Sequence, residues 1–140
     1  MLRRGGWVPR SIAFVVIELG LGWMGFSYGL NLIFSEPYRR LVTPATLDAI
    51  ESIAPLQNFG YVLIFGSTCL FIGLACRWPL FASVGHLIMS VVFVALGISF
   101  LEVAPLNQTF IVLGLVLHPT MATALARDVG KAAGEKALRK

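Results

Sequence analysis

The sequence predicts an all-α integral membrane protein, a single domain of residues 1–140 built as a four-transmembrane-helix bundle. Hydrophobic residues make up 57% of the chain and charged residues 13%, whereas soluble domains are about half apolar and about a quarter charged. Two apolar runs, about 59–76 and 79–101, are separated by a short turn at Arg77 and Trp78. Each run is long enough for a hydrocarbon core of about 30 Å, so the two are expected to cross the bilayer as antiparallel neighbours.

Two further apolar runs complete the predicted bundle. The first, about 11–34, follows a short basic stretch and contains Glu18. It is longer than the apolar part of a signal peptide and lacks an Ala-x-Ala cleavage pattern, so we expect it to be retained as a span. The fourth, about 106–126, precedes a basic tail at 127–140.

The polar connection at 35–58 is long enough to form its own structure. Thr43 and Pro44 provide an N-cap and a proline at the first helical position, and Pro55 ends the segment. We predict a short amphipathic helix that lies on the membrane surface in the outer loop. Its apolar stripe consists of Leu47, Ile50, Ile53 and Ala54.

The distribution of Lys and Arg predicts the orientation. Basic residues are enriched on the cytoplasmic side of membrane proteins, and cytoplasmic termini place only Arg39 and Arg40 outside. We therefore expect a bacterial-type inner membrane protein with both termini cytoplasmic and a tail that attracts anionic lipid headgroups. Basic residues at ends and turns argue against nucleic-acid binding. The inside set is Arg3, Arg4, Arg10, Arg77, Arg127, Lys131, Lys136, Arg139 and Lys140.

Three ionisable residues lie inside predicted spans, where such groups mark candidate functional sites. Glu18, His86 and His118 are each eight or nine residues from the nearest cytoplasmic arginine. At 1.5 Å per residue this spacing puts all three about 12 to 14 Å from the inner boundary. Thr68 reaches the same depth in the second span. The four residues form a predicted buried polar layer, a candidate proton or ligand site.

Two other interpretations of this layer stay open. Its members can act as polar contacts between helices, each pair contributing about 0.6 to 2 kcal/mol. Alternatively, His86 and His118 can flank a haem or bind a metal with Glu18. We expect no metal or cofactor. Spacing along the chain gives the depth of the three residues but not their rotation around the bundle axis, so it does not show that they converge on one ligand.

A stripe of glycines shares the face of Glu18. Gly22, Gly25 and Gly29 follow it at plus four, plus seven and plus eleven, and small residues at such spacing let helix backbones approach closely in membranes. The first span is therefore expected to pack tightly against a neighbour along this stripe.

Pro119 directly follows His118 in the fourth span. A proline inside a helix removes the hydrogen bond to the carbonyl four residues earlier, here that of Leu115. We predict a kink at this point.

No motif of an established enzyme class is present. The sequence has no Gly-rich phosphate loop, nucleophile elbow, Cys-x-x-Cys pair or zinc-binding His-Glu helix. Cys69 and Cys76 are seven residues apart on one predicted helix, too far for a disulfide. We expect no enzymatic activity.

The order of parts resembles DoxX-like membrane proteins. A Gly-rich first span, a longer outer loop and a second span opening at Phe59-Gly60 follow that order. The closest local likeness is Gly-Leu-Ala-Cys-Arg at 73–77 leading into Leu-Phe-Ala at 80–82. The resemblance implies a non-catalytic accessory subunit of a quinone-linked or thiol redox system in the membrane.

Two alternatives belong to other functional classes. Small size, short loops and a cationic tail are also typical of phage holins, which permeabilise the inner membrane by oligomerising, here through the glycine stripe. The third hypothesis is a proton or small-solute pathway through the Glu18 layer, which with four spans requires a dimer. The expected partners are the lipid bilayer and either further copies of the chain or another membrane protein.

Overall fold

The structure is a computed structural model that describes residues 12–34, 48, 50–101 and 112–138. Within those ranges every regular element is helical. The elements are α1 (Ile12–Ile33), α2 (Leu56–Ala75), α3 (Pro79–Leu101), a π-helical segment (Leu113–Leu117) and α4 (His118–Leu138), which continues directly from it.

Among the described residues, three helices are long and apolar enough to cross a membrane. They are Ile12–Ile33, Leu56–Ala75 and the Pro79–Ile98 part of α3. The predicted first and third spans are confirmed as helices within one residue at each end. The second begins three residues earlier than predicted, because the chain turns sharply before Pro55 and the helix can start directly after it.

The fourth predicted span is covered only in part. Residues 106–111 lie outside the described residues, and the described portion, 112–126, is about 22 Å long at 1.5 Å per residue. This is shorter than a hydrocarbon core of about 30 Å, so a fourth span stays a prediction. Beyond 126 the chain remains helical to Leu138.

The helices pack in chain order. α1 lies against α2, α2 against α3, and α3 against both the π-helical segment and α4. Apolar side chains from all of these helices form one core. Their burial removes apolar surface from water, which stabilises the fold. The largest fully buried apolar side chains of the core are Phe93, Leu32, Ile50, Leu56, Leu63, Leu70, Met89, Leu96 and Leu125.

The glycine stripe of α1 faces the interior of the bundle and packs mainly against α2. A Cβ atom added to Gly22 would meet the ring of Phe71, and one added to Gly29 would lie 2.8 Å from the carbonyl oxygen of Gly60. At Gly25 the added atom would meet Ser67 of α2 and Met89 of α3. The stripe is therefore used for packing inside one chain.

The turn between α2 and α3 has a defined hydrogen-bond pattern. Arg77 adopts a left-handed conformation with φ 56°. Its N–H donates to the Leu74 carbonyl at 3.2 Å, and the N–H of Trp78 donates to the Gly73 carbonyl at 2.7 Å. These two bonds form a Schellman motif, which satisfies carbonyls at the end of a helix. Pro79 then occupies the first position of α3, where its missing N–H costs nothing.

The structure describes the C-terminal end of the helix predicted in the polar connection at 35–58. Asp48, Ile50 and Glu51 are helical, and the N–H of Ser52 donates to the Asp48 carbonyl at 2.9 Å. Ile50 is fully buried in the bundle core, whereas Ile53 is exposed. The predicted apolar stripe is thus divided, because Ile50 packs against the bundle core. The predicted start of this helix lies outside the described residues, as do the N-terminal arginines, Arg39, Arg40, Arg139 and Lys140.

Candidate functional site

Three ionisable side chains from three elements meet inside the bundle. Glu18 comes from the second turn of α1, His86 from the second turn of α3 and His118 from the first residue of α4. All three have 0% exposure to solvent. A buried ionisable group is costly unless neighbouring polar groups stabilise it, so their proximity to one another is the central feature of the site.

The three side chains lie in a row across the bundle. Nδ1 of His86 lies 2.9 Å from Nδ1 of His118, a hydrogen-bond distance. On the other side of the ring, Nε2 of His86 lies 4.0 Å from Oε1 of Glu18. We call these three residues the Glu–His–His row. The sequence predicted that they share one depth, and the structure also brings them together.

The hydrogen bond between the two imidazoles constrains their protons. An N–H···N bond needs one donor and one acceptor, and a neutral imidazole carries its single proton on one of its two nitrogens. One Nδ1 therefore carries a proton and the other does not. Only one of the two rings can donate at this contact. A state in which His86 and His118 are both positively charged, with a proton on each Nδ1, is therefore incompatible with the observed arrangement.

The second nitrogen of His118 has a different environment. Its Nε2 is buried and has no hydrogen-bond partner among the residues that the structure describes. A buried polar atom without a partner is uncommon in proteins and costs about 1 to 3 kcal/mol. This nitrogen is the end of the Glu–His–His row on the α4 side.

Aromatic rings fix the position of His118. The ring of Phe93 stacks on His118 with centroids 5.3 Å apart and planes inclined by 11°. Tyr28 of α1 contacts Phe93 edge-on, with centroids 6.3 Å apart. Since both Phe93 and His118 are fully buried, these contacts limit rotation of the imidazole.

Thr68 does not belong to this buried layer, so the prediction that included it is wrong. Its side chain is exposed, and its hydroxyl donates to the Ile64 carbonyl of its own helix at 2.7 Å. The neighbouring Ser67 is fully buried instead and donates to Sδ of Met89 at 3.3 Å. The two residues share a depth, but one position along a helix changes the direction of a side chain by about 100°.

The distance between the two Nδ1 atoms determines whether a metal or haem fits between the histidines. An iron held between two nitrogens needs them about 4 Å apart, twice a metal–nitrogen bond of about 2 Å. The two Nδ1 atoms are 2.9 Å apart and face each other directly. The arrangement therefore does not fit a haem flanked by His86 and His118. Within the described ranges, no group of three or more potential ligands is arranged to hold a metal ion.

Pro119 is associated with a π-helical segment directly before it. Leu113–Leu117 is π-helical, and the N–H of His118 donates to the carbonyl of Leu113, five residues earlier. Single π-helical turns inside helices occur often at functional sites. The sequence signalled an irregularity here through the proline, whereas the extra residue in the turn had no sequence signal.

Two hydroxyls that sequence reasoning missed connect α3 to the fourth helical stretch. Ser83 donates to the Ala122 carbonyl at 3.0 Å, and Ser90 donates to the Gly114 carbonyl. They lie three residues before and four residues after His86, so they are near its face of α3. The spacing of minus three and plus four from His86 is a sequence signal that could have placed both serines on its face of the helix.

Comparisons of the chain with protein-family models, with curated proteins and with solved structures found no match. The resemblance to DoxX-like proteins therefore stays a prediction.

Proposed function

We propose that this protein is a membrane proton pathway whose central relay is the Glu–His–His row. The observation that carries the proposal is the burial of Glu18, His86 and His118 in one row, with separations of 4.0 and 2.9 Å. Chains of Glu and His inside membrane bundles are typical of proton relays in pumps and transporters. In this proposal α1, α2 and α3 cross the bilayer with 106–126 as a fourth span and both termini cytoplasmic.

The relay follows from the two nitrogens of each imidazole. With a proton on Nδ1 and a free electron pair on Nε2, His86 accepts a proton from the Glu18 carboxyl group at Nε2. It then passes its Nδ1 proton to Nδ1 of His118. His118 in turn passes its Nε2 proton to water, which the proposal requires at this buried end of the row, and each ring keeps one proton, now on Nε2 of His86 and on Nδ1 of His118. Both rings must return to their starting tautomers before the next proton enters. Each step moves one proton and leaves the bond between the two Nδ1 atoms with one donor.

The distance between Glu18 and His86 suits a relay with a movable member. At 4.0 Å, Oε1 and Nε2 are about 1 Å beyond a hydrogen bond. A rotamer change of the glutamate side chain covers such a distance and makes or breaks the connection. Glu18 is therefore the member that we expect to control entry into the row.

The contact surface that the holin hypothesis predicted is used inside the chain. It assigned Gly22, Gly25 and Gly29 to contacts between subunits, and these glycines pack against α2 and α3 of the same chain. The accessory-subunit hypothesis remains a separate prediction, which co-purification with a redox partner from the native membrane would test.

Proton flux into liposomes tests the proposal directly. The purified protein is reconstituted with a pH-sensitive dye inside the vesicles, and a potassium gradient with valinomycin supplies the driving force. We expect faster acidification than in empty vesicles, and loss of this excess in Glu18→Gln, which keeps the shape of the side chain but does not titrate. Thr68→Ala is the matched control at the same depth, because its side chain is outside the row.

Three results would contradict the proposal. Acidification at the rate of empty vesicles would exclude a proton pathway in this chain alone. Equal flux in wild type and Glu18→Gln would remove the row from the pathway. Release of a large co-trapped dye by both proteins would support a holin-type permeabilising protein instead.

A further inference from the structure

We propose that Ser90 is a positioning residue that holds His118 in line with His86 by replacing the backbone hydrogen bond that Pro119 cannot make. The inference concerns the same site as the proposed proton pathway, and its consequence for proton flux rests on that function. The effect of Ser90 on the hydrogen bond between His86 and His118 does not depend on that function and is measured by itself.

The hydrogen-bond pattern of the π-helical segment identifies the vacant acceptor. In this segment an N–H donates to the carbonyl five residues earlier, as His118 does to Leu113. The next bond in the same pattern would run from residue 119 to the carbonyl of Gly114, and not to that of Leu115 as the α-helical spacing predicted. Residue 119 is proline and has no N–H, so this bond cannot form.

Ser90 occupies the place of that missing donor. Its hydroxyl on α3 donates to the carbonyl oxygen of Gly114, the acceptor that Pro119 leaves without a backbone partner. Gly114 is buried, and a buried carbonyl needs a hydrogen-bond donor. The serine thereby satisfies the π-helical segment from the neighbouring helix.

Gly114 allows the two helices to come close enough for this contact. A Cβ atom added there would lie 2.8 Å from the backbone nitrogen of Val94 and 3.0 Å from the carbonyl oxygen of Ser90. Both are backbone atoms, which cannot rotate away. The glycine and the serine therefore act together to seat the segment on α3.

The register of the π-helical segment determines where His118 points. If the π turn changed to the α-helical hydrogen-bond pattern, the helix that follows would shift by one position. Its side chains would then rotate by about 100° relative to the helix that precedes the turn. Such a rotation would take Nδ1 of His118 away from Nδ1 of His86. Ser90 thus acts on the row through the backbone and does not belong to it.

Selective labelling makes the bond between the two histidines directly observable. The chain contains two histidines, so ¹⁵N-histidine labelling of protein purified with a histidine-free tag reports only on His86 and His118. The measurement is the ¹⁵N–¹⁵N coupling across the Nδ1–H···Nδ1 hydrogen bond. The variants are Ser90→Ala, Ser90→Thr, which retains the hydroxyl, and Ser83→Ala. The last removes a comparable bond between the same helices, to Ala122 in the α-helical part of α4.

We expect the coupling in wild type, Ser90→Thr and Ser83→Ala, and its loss in Ser90→Ala. Retention of the coupling in Ser90→Ala would overturn the inference, and so would its loss in Ser83→Ala, because any bond between α3 and α4 would then suffice. If Ser90→Ala does not fold, Ser90→Cys replaces it. The thiol is a weak donor, so the coupling should decrease, and an unchanged coupling would overturn the inference.

Proton flux in the same variants separates this inference from the proposed function. Flux at the level of Glu18→Gln in Ser90→Ala, with wild-type flux in Ser90→Thr, would support both. A coupling lost in Ser90→Ala in a protein that conducts no protons would support the positioning role and contradict the pathway. A wild-type protein without the coupling would overturn the positioning role itself.

Discussion

The close contact between α1 and α2 at Gly29 leads to a quantitative prediction for Gly29→Ala. The added methyl group would lie 2.8 Å from the carbonyl oxygen of Gly60 and 2.7 Å from Cγ1 of Ile64. Carbon and carbonyl oxygen ordinarily approach to about 3.3 Å, so the two backbones must separate by about 0.5 Å. Such overpacking costs about 1 to 3 kcal/mol of unfolding free energy.

Two other glycines of α1 provide a graded comparison. Gly20 has no atom within 4 Å of an added Cβ, so Gly20→Ala should be neutral or slightly stabilising because alanine favours the helix. An alanine at Gly22 meets side-chain atoms of Phe71 and Leu70, which can rotate aside. We therefore expect Gly22→Ala to fall between the other two variants.

Unfolding of the detergent-solubilised protein by sodium dodecyl sulfate, followed by tryptophan fluorescence, measures the three differences. The contact geometry predicts the order Gly20→Ala, Gly22→Ala, Gly29→Ala from most to least stable. A Gly29→Ala protein as stable as Gly20→Ala would refute it, because the backbone contact at Gly60 would then impose no constraint.

The remaining predictions concern the turn between α2 and α3 and the aromatic contact of His118. Arg77→Gly should raise the free energy of unfolding by about 1 kcal/mol relative to Arg77→Ala, because φ 56° is unfavourable for any residue with a Cβ; equal thermal midpoints would contradict this. Phe93→Ala should lower it by about 3 to 5 kcal/mol, since the ring is fully buried. Val91→Ala, at a residue 71% exposed, should change it by about 0.5 kcal/mol or less, and similar detergent unfolding curves for these two variants would contradict the assigned packing.

Much of the helical arrangement is readable from local sequence. Apolar length defines α1, α2 and α3, and Pro79 marks the start of α3 because proline fits the first turn and lacks an N–H. Pro55 was predicted only to end the preceding segment, and in the structure it is also the N-cap of α2. The turn at Arg77 was predictable in position but not in conformation. Its left-handed φ arises from the Schellman bonds to Gly73 and Leu74, a position where glycine is usual.

The sequence by itself determined that three long apolar stretches form helices, and it predicted one common depth for Glu18, His86 and His118, since depth within a span depends only on counting residues at 1.5 Å each. Tertiary structure alone decided rotation. It buries Ser67 and exposes Thr68, and it turns the imidazoles of His86 and His118 toward each other. The physical reason is that rotation about a helix axis is set by contacts with neighbouring helices, and those contacts come from residues far apart in the chain.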